Sequence, residues 1–328
     1  MAQNKVTTLQ AINTALHEAM AQDDSILVFG EDVADPEEGG VNGATRGLST
    51  EFGESRVRST PISEQAIIGA AIGSAMAGMR PVAEIMLMNF STVAMDMIVN
   101  HAAKLRYMSG GQTAVPLTIR VTTGAGFGTA GQHSDYLEAW FAHTAGLKVV
   151  TGSTPAETAG LLKACIFDDD PCIFIENLPA YWQKGEAPEP GQTIPLGKAR
   201  IAREGSDVTV VTYGPQVAVA EAAAEQLAEE KITVEVVDLR TIQPWDRDTV
   251  LNAVAKTGRA VVSHEAVRAF GVGAEISSVI HEELFDQLRA PVQRVGAPST
   301  AVPYSKALES AFVPDADKVV AAIRKTLK

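Results

Sequence analysis

With 328 residues, 46% of them hydrophobic and 20% charged, the chain reads as a globular protein long enough for two domains of about 150 residues each, which excludes disorder. Its 27 basic and 40 acidic residues leave a net charge of −13, so phosphate backbones repel it and nucleic acid is excluded as a partner. The longest uncharged run, Ala66 to Met79, is too short and too glycine-rich for a membrane span of ~20 apolar residues, so no membrane partner is expected.

The opening Met1-Ala2-Gln3-Asn4-Lys5 has neither the charged-then-apolar order of a signal peptide nor the Arg/Ser-rich character of a transit peptide, so the cytoplasm is the expected compartment. Apolar or β-branched runs bounded by turn residues then predict strands at Ser25–Glu31, Arg80–Leu87, Pro116–Thr122, Leu147–Thr151 and Cys172–Glu176. Helical patterns lie between several of them, including Ser91–Met108 and Glu157–Ile166. This alternation predicts an α/β fold with a mostly parallel sheet. Asn177–Pro195, carrying Pro179, Pro188, Pro190 and Pro195 with Gly185 and Gly191, breaks the pattern and reads as a linker. Beyond it, strands are predicted at Asp207–Tyr213, Thr233–Asp238, Ala260–Ser263 and Val292–Val295. Helices are predicted at Gln216–Glu230, Asp246–Lys256, Gly273–Leu288 and Asp315–Leu327, forming a second, smaller α/β domain. The expected division is 1–180, a linker over 181–200, and 201–328.

Thr60-Pro61-Ile62-Ser63-Glu64 introduces a helix of small residues. Ser63 suits the N-cap and Glu64 the first turn, where the helix dipole favours an anion. Glu64 is then either a capping carboxylate or a buried one that addresses a ligand. Gly69 and Gly73, four apart on one face, suggest a buried helix closely approached by another backbone. Gly124-Ala125-Gly126-Phe127-Gly128-Thr129-Ala130-Gly131-Gln132-His133-Ser134-Asp135 follows a strand, but lacks the helix and the later acidic residue of a dinucleotide fingerprint. It reads as flexible backbone delivering His133, with a structural histidine as the alternative. Asp168-Asp169-Asp170 at a helix exit opposes the dipole, so it is either a solvated turn or part of a hard-cation site. Gly271-Val272-Gly273 opens a helix and serves either an anion or close packing. Two cysteines without CxxC spacing and six scattered histidines make a transition-metal site improbable.

Taken in order, Gly30-Glu31-Asp32-Val33, Thr60-Pro61-Ile62-Ser63-Glu64, Gly78-Met79-Arg80-Pro81-Val82-Ala83-Glu84, Tyr107-Met108-Ser109-Gly110-Gly111, Gln132-His133-Ser134 and Asp238-Leu239-Arg240 run the length of the chain. Gly146-Leu147-Lys148-Val149-Val150, Asp207-Val208-Thr209-Val210-Val211 and Gly271-Val272-Gly273-Ala274-Glu275-Ile276 complete the pattern. It resembles the β subunit of the E1 component of 2-oxo acid dehydrogenase complexes, a thiamine-diphosphate-dependent decarboxylase. The resemblance implies a transketolase-like pyrimidine-binding domain and a transketolase C-terminal domain. It implies that Glu64 bonds N1′ of the aminopyrimidine, that Met86 and Phe90 pack on the pyrimidine, and that His133 assists substrate binding and acyl transfer to a lipoyl group. It also implies a structural potassium site from the carbonyls of Leu117, Cys165 and Ile166 and the side chains of Asp168 and Asp170. The chain has no Gly-Asp-Gly motif for Mg²⁺ and diphosphate. The resemblance therefore implies an α subunit supplying that half in an α2β2 tetramer, with an E2 lipoyl acyltransferase docking on it. Asp135, where many relatives have Gln, adds charge beside an anionic substrate; Leu137–His143 and Ser263–Ala266 look closer to the acetoin-cleaving branch. A non-catalytic interaction subunit and an NAD-dependent dehydrogenase are the competing readings.

Overall fold

The computed structural model describes residues 5–328; Met1–Asn4, on which most of the targeting expectation rests, lie outside the described residues. The chain forms two compact units, Met1–Thr123 with Trp140–Leu196, and Gly124–Ala139 with Gly197–Lys328.

The first unit contains β1 (Lys5–Thr7), β2 (Ile26–Gly30), β3 (Val57–Ser59), β4 (Arg80–Ile85), β5 (Thr118–Thr123), β6 (Lys148–Thr151), β7 (Cys172–Asn177) and β8 (Lys184–Glu186). Its main strands lie in the order β6-β7-β5-β4-β2-β3 and every pairing is parallel. Such sheets are covered on both faces, which is why β5 and β7 are buried along their whole length rather than alternating. The helices Thr8–Gln22 and Pro155–Ile166 share a core in which Ile12, Leu16 and Met20 meet Leu161, Leu162 and Cys165 over Ile26, Val28 and Phe174. Each such aliphatic side chain contributes about 1.5–3 kcal/mol on burial. A capping box starts the first helix: Thr7 Oγ1 accepts from Gln10 N–H at 3.1 Å, and Gln10 Oε1 accepts from Thr7 N–H at 2.9 Å.

The second unit contains β9 (Arg200–Arg203), β10 (Val208–Thr212), β11 (Val234–Asp238), β12 (Thr241–Gln243), β13 (Ala260–Val267) and β14 (Gln293–Ala297). Its five-stranded sheet runs β14-β13-β10-β11-β9, parallel except for β9. The closing helix Ala316–Thr326 buries Val319, Val320 and Ile323 against Val208, Val210 and Val261.

Three segments differ from the sequence expectation. Ser91–Met108 is a 3-10 turn (Met88–Thr92), a π turn (Met97–Ala102) and a short helix (Leu105–Met108) instead of one helix. Hydroxyls interrupt it: Ser91 Oγ donates to Met88 O at 2.6 Å and Thr92 Oγ1 to Asn89 O at 2.7 Å. Within the expected linker, Tyr181 is fully buried, β8 pairs with β1, and Ile194 packs on Gly160, so the chain leaves the first unit only after Leu196. Residues 124–139, expected in the first domain, belong to the second unit.

Candidate active site

Glu64 is the first residue of the helix Glu64–Met76 and is 7% exposed. Ser63 occupies the N-cap, but its side chain makes no capping bond. Glu64 therefore faces the dipole's positive end. The helix buries one face only, through Ile67, Ile68, Ala71, Ile72 and Ala75. The close backbone approach expected at Gly69 and Gly73 does not occur among the described residues: outside its own helix a Cβ on Gly73 would meet none of them within 4 Å, and one on Gly69 only Met97 Sδ at 3.7 Å.

The helix start lies with the carboxyl ends of neighbouring parallel strands, the usual ligand edge of an open α/β sheet. β2 ends at Gly30, whose carbonyl accepts from Thr60 N–H at 2.8 Å. Glu31 follows, 9% exposed. Burial first, then the negative charges of Glu64, Asp32 and Glu84, hold its carboxyl above the usual range. Thr60 Oγ1 is buried without a hydrogen-bond partner among the described residues. Met86 and Phe90, just beyond β4, are both half-buried. A buried carboxylate, an unsatisfied hydroxyl and two accessible apolar side chains suit an aromatic ring with polar nitrogen atoms, so the residues present fit an aminopyrimidine.

Inward from this edge, Arg120 on β5 pairs in register with Glu84 on β4. It is 1% exposed and donates to Glu176 through Nε at 2.7 Å and Nη2 at 2.8 Å, and to Glu84 through Nη1 at 2.5 Å. Tyr181 Oη donates to Glu176 and lies 3.0 Å from Thr122 Oγ1. Burial pushes Glu84 up despite the opposing pull of Arg120. A cavity of about 340 Å³ lined by Ala75, Met76, Gly78 and Arg80 lies at the other end of the Glu64 helix, about 20 Å along thirteen residues, and is separate from this edge.

The acidic triplet is met by side-chain cations. Lys148 Nζ lies 2.6 Å from Asp168 and 3.3 Å from Asp170; Arg106 bonds Asp170 at 2.5 Å and Arg80 bonds Asp169 at 2.8 Å. Although burial pulls the Lys148 ammonium down, its bonds to Asp168 and Asp170 hold it above its ordinary value. The carbonyls expected around potassium have partners too: Leu117 O accepts from Cys172 N–H at 2.9 Å, Cys165 O from Asp168 N–H at 3.2 Å, and Ile166 O from Arg80 Nη1 at 3.5 Å.

In the second unit, the glycine-rich loop carries a half-buried His133 and enters no helix before Glu138. The N–H groups a nucleotide phosphate would need are taken by carboxylates. Ala125 N–H donates to Glu265 Oε1 at 2.8 Å, and those of Gly126 and Gly128 to Glu309 Oε1 at 2.7 and 3.1 Å. The loop read as flexible is tied, because left-handed backbone at Gly126 (φ +131°) and Gly128 (φ +68°) lets both amides turn to one acceptor. Gly271 and Gly273 serve close packing: a Cβ on either would lie 2.8 Å from the ring of His264. His264 Nδ1 lies 3.2 Å from Ala266 O and so carries the proton. Its Nε2 is buried without a partner among the described residues, and burial lowers the ring to about 4.

Sequence reasoning missed Glu31, Glu84, Arg120 and Glu309 as site residues. Glu31 stood in Gly30-Glu31-Asp32-Val33, an acidic pair closing a strand, and Arg120 was a lone charge inside an apolar strand run, a signal worth following.

Two family descriptions match the chain: the transketolase pyrimidine binding domain over residues 4–182 and the transketolase C-terminal domain over residues 197–319. The chain is 46% identical over 332 residues to the acetoin:2,6-dichlorophenolindophenol oxidoreductase subunit beta of Cupriavidus necator, covering 99% of this chain and 98% of that one. It is 44% identical over 325 residues to the pyruvate dehydrogenase E1 component subunit beta of Bacillus subtilis, covering 99% of each. To the 2-oxoisovalerate dehydrogenase subunit beta of Bacillus subtilis it is 42% identical over 319 residues, covering 97% of each. A split-gene transketolase solved as an inactive beta4 tetramer has the same fold, with a TM-score of 0.79 at 24% identity over 98% of each chain.

Proposed function

This chain belongs to the transketolase-like E1 β subunits of the 2-oxo acid and acetoin dehydrogenases, and on that premise we propose that it forms one half of a thiamine-diphosphate-dependent E1 enzyme, active only with an α subunit. The observation that carries this reading is the buried Glu64 at a helix start on the carboxyl edge of the sheet. When bound, thiamine diphosphate would supply a nucleophilic thiazolium carbon and a cationic ring able to accept the electron pair left by decarboxylation of a 2-oxo acid or cleavage of acetoin. Glu64 would hold a proton against N1′ of the aminopyrimidine, and Met86 and Phe90 would orient the ring by apolar contact. Glu31, more readily protonated than a free carboxyl, limits the negative charge gathered around Glu64. His133 would assist substrate binding and acyl transfer to a lipoyl group on an E2 partner.

The absence of a Gly-Asp-Gly motif supports an α2β2 arrangement in which the α subunit holds Mg²⁺ and the diphosphate. The open Gly73 side of the Glu64 helix offers a face for such a partner. We further propose potassium among the carbonyls of Leu117, Cys165 and Ile166 and the side chains of Asp168 and Asp170, where it would share the carboxylates with Lys148. Asp135, adding negative charge two residues from His133, favours neutral acetoin over an anionic 2-oxo acid.

The test is co-expression with an α-type subunit, then steady-state assay with thiamine diphosphate, Mg²⁺ and an artificial electron acceptor. Pyruvate, branched-chain 2-oxo acids and acetoin are compared. Turnover of one fixes the branch; a stable assembly that turns over none rejects the catalytic reading in favour of an interaction subunit.

A further inference from the structure

We propose that Glu309 and Glu265 are positioning residues that set where His133 presents its imidazole. The two carboxylates come from distant parts of the chain: Glu265 lies on β13, 140 residues beyond Ala125, and Glu309 on the helix Lys306–Phe312, 183 residues beyond Gly126. Both are buried, at 7% and 3% exposure. A carboxylate removed from water needs compensating donors, and a loop outside any sheet leaves its N–H groups needing acceptors.

Each meets the other's requirement here. Glu309 accepts from Gly126 at 2.7 Å through Oε1, and from Gly128 at 3.1 Å through each oxygen; Glu265 accepts from Ala125 at 2.8 Å. Ala125 also packs among Ala297, Val302 and Phe312, so the approach to His133 is seated by side chains as well as amides. Past the clamp, the loop closes tightly around the histidine. His133 N–H donates to Ala130 O at 3.1 Å, Thr129 Oγ1 and Ser134 Oγ lie 2.6 Å apart, and a Cβ on Gly131 would come within 3.0 Å of Ala301 Cβ. With the backbone pinned at 125–128 and braced at 129–134, the loop's freedom to move the imidazole depends on the two glutamates.

The inference rests on the role given to His133 above, and the experiment separates the two. In the α2β2 assembly with thiamine diphosphate, wild type is compared with Glu309→Gln, His133→Ala and the double variant. Glutamine keeps the volume but replaces one acceptor oxygen with an NH₂ group that only donates, so an amide N–H must face a backbone N–H. The expected result is a loss of about 10- to 100-fold in kcat/KM for Glu309→Gln, the scale of a small misplacement. No further loss is expected when Glu309→Gln is added to His133→Ala. Hydrogen exchange should quicken in the peptide 124–135 and stay unchanged in the strands of the second unit. Wild-type turnover in Glu309→Gln beside an impaired His133→Ala overturns the positioning role alone; wild-type turnover in His133→Ala overturns the role of His133. If Glu309→Gln does not fold, Glu265→Gln and the wild-type exchange rates decide. Amides of Ala125, Gly126 and Gly128 that exchange as fast as exposed loops in the wild type also overturn the clamp.

Discussion

The guanidinium of Arg120 forks onto the carboxylate of Glu176 through bonds of 2.7 and 2.8 Å, with both side chains about 1% exposed. Breaking a buried pair by removing one partner leaves an uncompensated charge and costs about 3–5 kcal/mol. Arg120→Met is expected to lower the unfolding free energy by about that amount in urea titration. Adding Glu176→Gln should recover part of the loss; a fully additive double variant would show that the pair does not interact.

Glu64→Gln removes the anion facing the helix start and should cost at most about 1 kcal/mol in folding. Its effect on chemistry is expected to be much larger, a drop of about 100-fold or more in thiamine-dependent turnover of the α/β assembly. The check is steady-state kinetics beside a thermal melt, and near-normal turnover would defeat the assignment.

His264 gives the fold an acid sensitivity. Its ring falls to about 4 in the folded chain from an ordinary 6.5, so between those values the unfolded chain binds the additional proton. The contribution is complete above pH 6.5 and is lost as the pH falls towards 4, amounting to about 3 kcal/mol across the window. Chemical denaturation at steps through that range should show the slope, and His264→Asn should flatten it. An unchanged slope in the variant would assign the sensitivity to other groups.

Gly73 sits inside a helix, and a Cβ added there would have no neighbour within 4 Å among the described residues outside that helix. Gly73→Ala is expected to stabilise the isolated chain by about 0.5–1 kcal/mol through helix propensity. If a partner backbone packs there, the same change weakens assembly with the α subunit. Melting the chain alone and measuring its association by ultracentrifugation reads both; stabilisation with unchanged assembly places the partner elsewhere.

The Ile166–Asp170 turn separates potassium from Lys148 as the counter-charge. If potassium binds, exchanging sodium for potassium at constant ionic strength raises the Tm of the wild type, and Asp168→Ala abolishes the difference. Equal melting in the two salts leaves Lys148, Arg80 and Arg106 as the cations of the turn.

The order of most strands and helices, the two α/β halves and the family were legible in the sequence by itself, because periodicity, turn residues and motif order are local properties. Tertiary structure decided which charges meet. That Arg120 pairs with Glu84 follows from the register of β4 on β5, and that Glu309 ties the loop before His133 follows from the helix Lys306–Phe312 returning to it. The broken run after β4 and the buried Tyr181 were hidden for the same reason, since hydroxyl competition and burial depend on neighbours that spacing along the chain does not name. Local pattern chooses the elements; desolvation and hydrogen-bond satisfaction, summed over partners far apart in the chain, choose the site.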